Sequence, residues 1–516
     1  MSSTDAPAPG PDLAAGISES DLPEGKMLAG QVGGEAVLLA RSSGQIFAIG
    51  ATCTHYSGPL AEGLLAGDTV RCPWHHACFS LRTGEALRAP ALAAVACWAV
   101  ERSGGKVYVR GPSQGPATES LVAKAPADSL PGRIVIVGGG AAGFAAAEML
   151  RRERFEGSIV MLSEDDSAPV DRPNLSKDYL AGNAPEDWVP LRPPQFYVAE
   201  GIDLRLTSKV TAIDTKARTV TLADGGIVPF DRLLLATGAE ANHLVFPGSQ
   251  AANVYTLRSL ADCRAIIARA NGARRALVIG ASFIGLEVAA ALRARSIEVH
   301  VAAPETHPME RILGARLGSF VRALHEQHGV RFHLQDTVES IIGTHVKLKS
   351  GASLDADLVV MGVGVRPRTQ LAEAAGLALD RGVLVDPYLQ TSAPGIYAAG
   401  DIARWPDART GDSIRVEHWV VAQRQGQTAA CNMLGQNERF NAVPFFWSQH
   451  YDVPINYVGH AERWDRIDID GDVEARDCLV RYWRGERLLA VASIYRDVES
   501  LRVELAMELE TPVASA

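Results

Sequence analysis

The sequence has 516 residues, of which 47% are hydrophobic and 21% charged, and its formal net charge is −10. This length allows three or four domains with ample core, and the negative charge argues against nucleic acid as a partner. Seven scattered cysteines indicate a reducing compartment and not a disulfide scaffold. The N-terminus, MSSTDAPAPGPDLAAG, lacks the basic start and apolar run of a signal peptide, and no apolar stretch is long enough for a membrane span. We therefore expect a soluble, cytoplasmic, multidomain protein.

Two short segments near the N-terminus concentrate metal-ligand side chains. CTHYSGPL carries Cys53 and His55, and CPWHHACF carries Cys72 and His75 after an interval of sixteen residues. Two thiolates and two imidazoles could hold a tetrahedral zinc, or a [2Fe–2S] cluster in which two histidines replace two cysteines. A third alternative is a set of unconnected buried cysteines and surface histidines. The C-x-H pair followed by a C-x-x-H pair favours the cluster.

Residues 15–112 resemble the Rieske family, whose two cluster loops are closely similar to CTH and CPWHHACF. The resemblance implies an all-β domain in which Cys53 and Cys72 bind one iron while His55 and His75 bind the other. We therefore expect a Rieske-type [2Fe–2S] cluster in the N-terminal domain.

Several positions in these loops differ from the high-potential Rieske proteins of respiratory cytochrome complexes. Gly58 and Trp74 stand where those proteins join the loops by a disulfide, and Ala77 and Phe79 stand where their hydroxyls face the cluster. Fewer hydrogen bonds to the cluster sulfurs stabilise the reduced state less, so we expect a potential at the low end of the Rieske range. His76 replaces the usual glycine and is either a solvent-facing neighbour or a docking contact.

A linker is predicted after this domain. The segment RGPSQGPATESLVAKAPADSLPG is rich in Pro, Gly, Ser and Ala without periodicity, and we assign residues 113–130 to the linker. A flexible segment of this length lets the front domain dock on its own chain or on a neighbouring one.

The segment RIVIVGGGAAGFAAAEML reads as strand, glycine turn and helix. Gly138, Gly140 and Gly143 form G-x-G-x-x-G directly after the strand, and the next strand ends at Glu164. Glycines at these positions allow a tight turn and close approach of a pyrophosphate, while the acid can bind ribose hydroxyls. A strand, a helix and an acid in register make this a strong dinucleotide signal, with a purely structural glycine turn as the alternative.

The same pattern recurs in ALVIGASFIGLEVAAAL. Gly280, Ser282 and Gly285 follow a strand and open a second helix. Serine at the second position is compatible with binding but crowds the pyrophosphate slightly. The next strand ends in Ala302–Ala303, where an NAD site expects an acid, and Glu305 follows two residues later. No arginine is placed to favour a 2′-phosphate, so we expect NADH, with NADPH as the alternative.

The region from residue 131 onward resembles the two-dinucleotide flavoprotein reductases, in which an NAD domain interrupts the FAD domain. The connecting and closing motifs of that family match LLLATGAE, with Thr237 and Gly238, LVVMGVGVRP, with Gly364, and IYAAGDIA, with Asp401. The resemblance implies that Asp401 binds the ribityl chain of FAD. The expected domains are FAD-binding in residues 131–250, NAD(P)-binding in 251–370, FAD-binding again in 371–438 and a C-terminal dimerisation-type domain in 439–516.

The branch of this family follows from the segment after the first ribose acid. Disulfide reductases and related oxidases carry cysteines there, whereas this chain has none between Cys97 and Cys263, which excludes a dithiol mechanism. DRPNLSK instead resembles the ferredoxin-reductase and apoptosis-inducing-factor branch. That resemblance places Arg172 and Lys177 near FAD and pairs Lys177 with Glu287, the two residues expected to act in catalysis.

Later segments extend the resemblance. It implies that Glu417, His418 and Trp419 line the isoalloxazine ring, and that Val210 contacts adenine through its backbone. Residues 439–516 resemble the small α+β domain of these reductases, which makes a homodimer possible.

The combination of domains predicts an electron-transfer function. A flavin accepts a two-electron hydride and releases electrons singly, whereas a Rieske cluster carries one electron at a time. The chain resembles the Rieske-bearing branch of apoptosis-inducing-factor-like flavoproteins, and the expected path runs from NAD(P)H through FAD and the cluster to a redox protein such as a terminal oxygenase. A redox sensor whose oligomeric state responds to NADH is the alternative, and electron flow from the cluster back to NAD⁺ also stays open.

Overall fold

The computed structural model describes residues 10–113 and 130–510. The described residues form two compact units, one of residues 10–113 with 496–510 and the other of residues 130–495. The predicted linker of residues 113–130 lies outside the described ranges except for its two end residues, as do the first nine residues of the chain. None of the helices in the described ranges combines the length and the apolar character needed to cross a bilayer.

The first unit contains two antiparallel sheets, as short strands separated by glycine and polar turns predict. The larger sheet has the order β1-β10-β9-β4-β3-β2 and the smaller has the order β5-β6-β7-β8. The strands of the larger sheet are β1 (Ile17–Ser18), β2 (Met27–Val32), β3 (Glu35–Ser42), β4 (Gln45–Gly50), β9 (Cys97–Ser103) and β10 (Lys106–Ser113). Those of the smaller sheet are β5 (Leu64–Ala66), β6 (Thr69–Arg71), β7 (Cys78–Ser80) and β8 (Ala86–Arg88). The loops with the Cys and His pairs follow β4 and β6.

The last helix in the described residues, α9 (Asp497–Leu509), belongs to the first unit. Leu501, Glu504 and Met507 are its most deeply buried side chains together with Ser500. The domain predicted from the sequence, residues 439–516, includes this segment together with the strands that precede it. In the structure, the ion pairs of α9 are made with arginines of the small sheet of the first unit.

The second unit is built on two five-stranded parallel sheets, which confirms the two predicted dinucleotide folds. The first sheet has the order β13-β12-β11-β17-β29 and the second has the order β19-β26-β20-β21-β22. The strands of the first are β11 (Arg133–Val137), β12 (Ser158–Leu162), β13 (Ile202–Arg205), β17 (Arg232–Leu235) and β29 (Ile396–Ala398). Those of the second are β19 (Val254–Thr256), β20 (Arg275–Ile279), β21 (Glu298–Ala303), β22 (Val330–Leu334) and β26 (Leu358–Met361). Because β29 follows the whole second sheet in the chain yet completes the first, the second fold is nested in the first.

Helices and small antiparallel sheets surround the two parallel sheets. The helices are α1 (Ala141–Arg152), α2 (Asp178–Ala181), α3 (Pro194–Ala199), α4 (Leu260–Ala270), α5 (Phe283–Ala294), α6 (Glu310–Gln327), α7 (Gln370–Ala374) and α8 (Trp419–Met433). The additional strands are β14 (Val210–Asp214), β15 (Thr219–Leu222), β16 (Ile227–Pro229), β18 (Ala239–Ala241), β23 (Val338–Ile342), β24 (His345–Leu348), β25 (Ser353–Asp355), β27 (Val365–Pro367), β28 (Val383–Leu384), β30 (Ala403–Pro406) and β31 (Ser413–Ile414). Helices α1 and α8 pack closely because Gly426 of α8 faces the backbone of α1.

A five-stranded antiparallel sheet of order β32-β33-β36-β35-β34 completes the second unit. Its strands are β32 (Phe445–His450), β33 (Val453–Gly459), β34 (Arg466–Asp472), β35 (Asp477–Arg484) and β36 (Arg487–Ile494). Its inner face shares one hydrophobic core with the second parallel sheet, in which Tyr457 and Tyr482 are fully or almost fully buried. Strand β32 thereby comes to lie beside helix α5.

Candidate functional site

The two Cys/His loops of the first unit are closed by backbone hydrogen bonds. The N–H of Cys53 donates to the Gly58 carbonyl at 2.9 Å, and the N–H of Cys72 donates to the Ala77 carbonyl at 2.8 Å. A Cβ atom on Gly58 would lie 2.6 Å from the Cys72 sulfur, so glycine is needed there for the loops to approach each other. Each loop therefore begins at its buried cysteine, and its histidine lies within the loop and is half-buried.

The four predicted ligands meet as two pairs of like donors. The Nδ1 atoms of His55 and His75 are 3.2 Å apart, and the thiols of Cys53 and Cys72 form a hydrogen bond with each other. The Cys72 thiol and two backbone N–H groups lower the pKa of Cys53, while burial lowers the pKa of His55 to about 3. The cysteines are buried and the histidines half-buried. One pair of thiols and one pair of imidazoles fit a [2Fe–2S] cluster, because each iron of the cluster takes two protein ligands.

His76, next to the second loop's histidine, is fully buried in the first unit. Its Nδ1 atom lies 2.8 Å from a carboxylate oxygen of Glu504 on α9. Its φ of +60° explains why a glycine is usual at this position, because side chains are disfavoured there. Of the two alternatives left by the sequence, the solvent-facing one is wrong, because His76 is buried against α9 of its own unit; its role as a docking contact stays a prediction.

The first glycine turn of the second unit adopts the predicted geometry. Gly138 has a φ of +115°, and a Cβ atom on Gly143 would lie 2.0 Å from the Gly138 carbonyl oxygen. The turn borders a cavity of about 640 Å³ that is also lined by Glu164 and Val210. Glu164 accepts hydrogen bonds from Lys209 at 2.9 Å and from Arg368 at 3.2 Å. The predicted adenosine residues are thus brought together in one cavity.

A second cavity of about 630 Å³ adjoins the first. The two share the lining residues Gly140, Ala236, Arg172 and Arg258 at the N-terminus of α1. Backbone N–H groups and the helix dipole favour an anion at such a position, and the two guanidinium groups add positive charge. Burial and the charge of Arg258 lower the pKa of Arg172 to about 10, so Arg172 stays cationic at neutral pH. The shared stretch fits the pyrophosphate of a dinucleotide.

Asp401 lies in the second cavity directly after the strand that closes the first sheet. Its carboxylate accepts a hydrogen bond from Arg258 at 2.7 Å, and the Nε atom of Arg258 is buried without a hydrogen-bond partner among the described residues. Gly238 and Gly364 line the same cavity, whereas Thr237 lines the first cavity and donates its hydroxyl hydrogen to a backbone carbonyl at 2.9 Å. These residues surround the space between the shared anion site and the far end of the second cavity.

The far end of the second cavity carries a buried ion pair. Lys177 Nζ donates to Glu287 Oε2 at 2.8 Å, and Ser176 donates its hydroxyl hydrogen to the same oxygen at 2.5 Å. The other carboxylate oxygen accepts from Ser448 at 2.6 Å. Burial alone raises the pKa of Glu287, but the Lys177 ammonium and the two hydroxyls hold it below its usual value. The predicted pairing of Lys177 with Glu287 is therefore present, with both side chains lining the cavity.

The aromatic side of this cavity contains the predicted residues Glu417, His418 and Trp419. His418 precedes α8, and its ring packs against that of Phe446 with centroids 4.5 Å apart. Burial lowers the pKa of His418 to about 3, so the ring is neutral at pH 7. Its Nδ1 atom is buried without a hydrogen-bond partner in the part of the chain that the structure describes. A buried polar atom of this kind fits a cavity that accepts a cofactor with hydrogen-bonding groups.

The second glycine turn keeps its serine for a structural reason. The Ser282 hydroxyl donates to the Gly362 carbonyl at 2.7 Å and accepts from the N–H of Gly285 at 3.3 Å, so it caps helix α5. Ser282 lines the second cavity, whereas Gly280 and Gly285 lie beneath the turn, where a Cβ atom on either would strike backbone. Ser282 therefore lines the same cavity as Lys177 and Glu287.

Sequence reasoning missed several residues of the site. Arg258 and Phe446 line the second cavity, and Arg368 lines the first. Ser176 stands inside the quoted DRPNLSK motif and could have been named there, whereas Ser448 lies 161 residues from its partner. Only the fold brings the distant residues to the cavity.

The site defines a flavoprotein reductase of the two-dinucleotide class. Residues 132–426 match the family model of the pyridine nucleotide-disulphide oxidoreductases, residues 15–99 match the Rieske [2Fe-2S] domain, and residues 445–516 match the reductase C-terminal domain. The chain belongs to the pyridine nucleotide-disulphide oxidoreductase family and carries a Rieske domain in front. It is an NAD(P)H oxidoreductase of the ferredoxin-reductase type whose cofactors are FAD and a [2Fe–2S] cluster.

Three similar proteins cover most of the chain. Apoptosis-inducing factor 3 of Homo sapiens is 35% identical over 96% of this chain and 84% of its own length. Rhodocoxin reductase of Rhodococcus erythropolis is 33% identical over 74% of this chain and 90% of its own length. The crystal structure of the covalent putidaredoxin reductase–putidaredoxin complex aligns with a TM-score of 0.71 and 34% identity, over 74% of this chain and 94% of that one.

Proposed function

We propose that this protein takes electrons from NAD(P)H through FAD to its own Rieske cluster and on to a separate redox protein such as a terminal oxygenase. The observation that carries this proposal is the presence, in one chain, of the Lys177–Glu287 cavity and the paired Cys/His loops. One relative is named a ferredoxin–NAD⁺ reductase component of a biphenyl dioxygenase system, and its match covers 67% of this chain. The front domain supplies the [2Fe–2S] centre within the same polypeptide.

FAD is assigned to the joined cavities. The residues that would hold it are Gly138, Gly140, Gly143, Glu164, Arg172, Val210, Thr237, Gly238, Gly364 and Asp401, with Glu417, His418 and Trp419 at the aromatic end. When bound, FAD supplies hydride acceptance and release of single electrons. The N-terminus of α1 and the guanidinium of Arg172 would bind the phosphates, and Asp401 accepts a hydrogen bond from Arg258 beside them.

The nicotinamide nucleotide is assigned to the second fold. Gly280, Ser282 and Gly285 shape the turn at the start of α5, and Glu287 projects from that helix into the same cavity. The Glu287 carboxylate fixes the position of the Lys177 ammonium, because their atoms are 2.8 Å apart in a buried setting. An oriented cation at this place stabilises developing negative charge in the cavity.

The cluster is assigned to Cys53 and Cys72 on one iron and His55 and His75 on the other. Ala77 and Phe79, at the positions where high-potential Rieske proteins have hydroxyls, offer none to the cluster, and both side chains are fully buried. We therefore expect a potential at the low end of the Rieske range, which suits a donor of electrons to an oxygenase partner.

An anaerobic titration of the purified holoprotein with NADH tests the proposal. Flavin absorbance and the electron paramagnetic resonance of the cluster are followed together, and the same titration is run with NADPH. We expect the flavin to bleach and the Rieske signal to appear within one turnover. The control is Cys72→Ser, in which the flavin bleaches and the signal is absent. A wild-type flavin that is reduced while its cluster stays oxidised contradicts the proposed path.

The similarity to apoptosis-inducing factor 3 over 96% of this chain supports a second candidate function, an NADH-responsive redox sensor. A sensor is reduced once and stays reduced, whereas a reductase turns over. Steady-state NADH oxidation with an artificial one-electron acceptor separates the two, and sedimentation velocity with and without NADH shows whether the oligomeric state changes. Sustained turnover without a change in sedimentation favours the reductase.

A further inference from the structure

The buried Lys177–Glu287 pair is the start of a longer series of hydrogen-bonded side chains. Behind Glu287, the Ser448 hydroxyl lies 2.6 Å from one carboxylate oxygen and 3.2 Å from His450 Nε2. Both residues belong to strand β32, which runs beside helix α5. The series therefore leads away from the cavity into the interior of the second unit.

The series continues from His450 to the surface. His450 Nδ1 lies 3.1 Å from His325 Nε2 on helix α6, and His325 Nδ1 lies 3.4 Å from the hydroxyl of Tyr451. Tyr451 is half-buried, and its ring stacks on the exposed ring of His328 with centroids 3.6 Å apart. We call the whole series the polar chain; it consists of Lys177, Glu287, Ser448, His450, His325 and Tyr451.

Burying the interior side chains of the polar chain costs free energy. Ser448, His450 and His325 are at most 1% exposed, and apolar side chains surround them. Polar groups are tolerated in such a place only when they are hydrogen-bonded, and an apolar core would avoid the cost altogether. None of these three side chains reaches the cavity lining, so binding of the cofactors does not account for them.

Between Tyr451 and Glu287, all the hydrogen bonds of the polar chain point in one direction. Burial lowers the pKa of His450 to about 4 and that of His325 well below its ordinary value, so both rings are neutral with one N–H each. The Glu287 carboxylate only accepts, so Ser448 donates to it and must accept from His450 Nε2–H. His450 Nδ1 then accepts from His325 Nε2–H, and His325 Nδ1 accepts from the Tyr451 hydroxyl. Every donor is thus aimed toward Glu287.

We propose that the polar chain conducts protons between the protein surface at Tyr451 and the cavity at Lys177. The inference rests on the proposed function, in which electrons enter and leave a cofactor that exchanges protons with its surroundings. When the Lys177 ammonium releases one proton into the cavity, one proton moves along each hydrogen bond, and Glu287 returns one to Lys177. Tyr451 regains its proton from water, so each group loses one proton and gains one. A proton leaving the cavity reverses every step and restores the starting tautomers of both histidines.

Two serine variants provide a matched test. Ser448→Ala removes a link of the polar chain, whereas Ser493→Ala removes a similarly buried hydroxyl of the same sheet that lies outside it. The holoprotein is photoreduced without NADH, and proton exchange with the solvent is timed with a pH-indicator dye. We expect Ser448→Ala to slow the exchange by about 10²-fold, the lower range for a positioned proton-transfer group, and Ser493→Ala to leave it within about twofold. Equal effects of the two variants, or no effect of Ser448→Ala, overturn the proposal.

A second readout does not depend on the flavin reaction. In ¹⁵N spectra of histidine-labelled oxidised holoprotein, assigned with His450→Asn and His325→Asn, both rings should be neutral Nε2–H tautomers at pH 7. A charged ring, or an Nδ1–H tautomer of His450, overturns the proposed direction. Because photoreduction bypasses NADH, failure of the NADH titration above would refute the proposed function and leave the proton measurement interpretable.

Discussion

Glu504 of helix α9 is the buried partner of two side chains beside the predicted cluster loop. One of its oxygens lies 2.8 Å from His76 Nδ1 and 3.4 Å from Arg71 Nη1, and all three side chains are at least nine-tenths buried. Glu504→Ala removes the acceptor from both. Breaking a buried ion pair costs about 3–5 kcal/mol, and we expect the lower value because Arg71 keeps its 2.7 Å pair with Glu508.

The expected loss is large enough to measure as a melting temperature. The first unit has a size at which 1 kcal/mol corresponds to roughly 4 °C, so Glu504→Ala should melt about 12 °C lower than the wild type. The visible circular dichroism of the oxidised cluster follows this unit selectively during heating. Glu504→Gln keeps an acceptor oxygen, so it should lose only part of this stability.

The control is Glu499→Ala, an exposed position on the same helix that changes the charge of α9 equally. Its melting temperature should stay close to that of the wild type, because exposed charges contribute little. If Glu504→Ala melts within about 2 °C of Glu499→Ala, loss of the buried pair does not cost the expected free energy, and α9 does not stabilise the loops.

Three further predictions follow from the second unit. Gly143→Ala places a Cβ atom 2.0 Å from a backbone oxygen, so the purified protein should contain little FAD by absorbance, whereas Gly272→Ala, where the added atom meets nothing, should bind it fully. Burial holds the pKa of His450 near 4 in the folded protein, below the value of 6.5 in the unfolded chain. The neutral ring therefore contributes about 3 kcal/mol to the free energy of unfolding above pH 6.5, and this contribution is lost as the pH falls toward 4. His450→Asn should flatten the dependence of urea unfolding on pH in that window, and an unchanged slope would show that the ring is already charged in the folded protein. Burial raises the pKa of the Cys263 thiol to about 12, so Cys263→Ser should keep NADH oxidation and iodoacetamide should not inactivate the wild type at pH 8; inactivation traced to Cys263 would reopen a thiol mechanism.

The features that the sequence predicted well are those fixed by local backbone geometry. Gly138 and Gly280 both have positive φ values, and neither position leaves room for a side chain. Glycine at these positions therefore predicts the conformation of the turn. The cluster loops are similar, because Cys53 and Cys72 each begin a short loop closed by its own backbone hydrogen bonds. The predicted parallel sheets, their nesting and the Lys177–Glu287 pair came from the same motifs or from the family resemblance that the motifs carried.

The features that the sequence did not predict depend on side chains that are far apart along the chain. Arg258 meets Asp401 across 143 residues, and His325 meets His450 across 125. Neither arginine nor histidine has a local pattern that sets its partner, since each is common on exposed helix faces. Only the packing of β32 and α6 within one core determines that these histidines are buried and face each other.

His76 lies between these two classes and shows what a departure from a local rule can reveal. A non-glycine residue with a φ of +60° costs of order 1 kcal/mol, so some interaction must offset that cost in the folded protein. The sequence could indicate that such an interaction exists, because the residue breaks the loop's usual pattern. It could not identify Glu504, which follows 428 residues later in the chain. We infer that the hydrogen bond between His76 and Glu504 offsets this strain, and that α9 thereby holds the loop that carries His75.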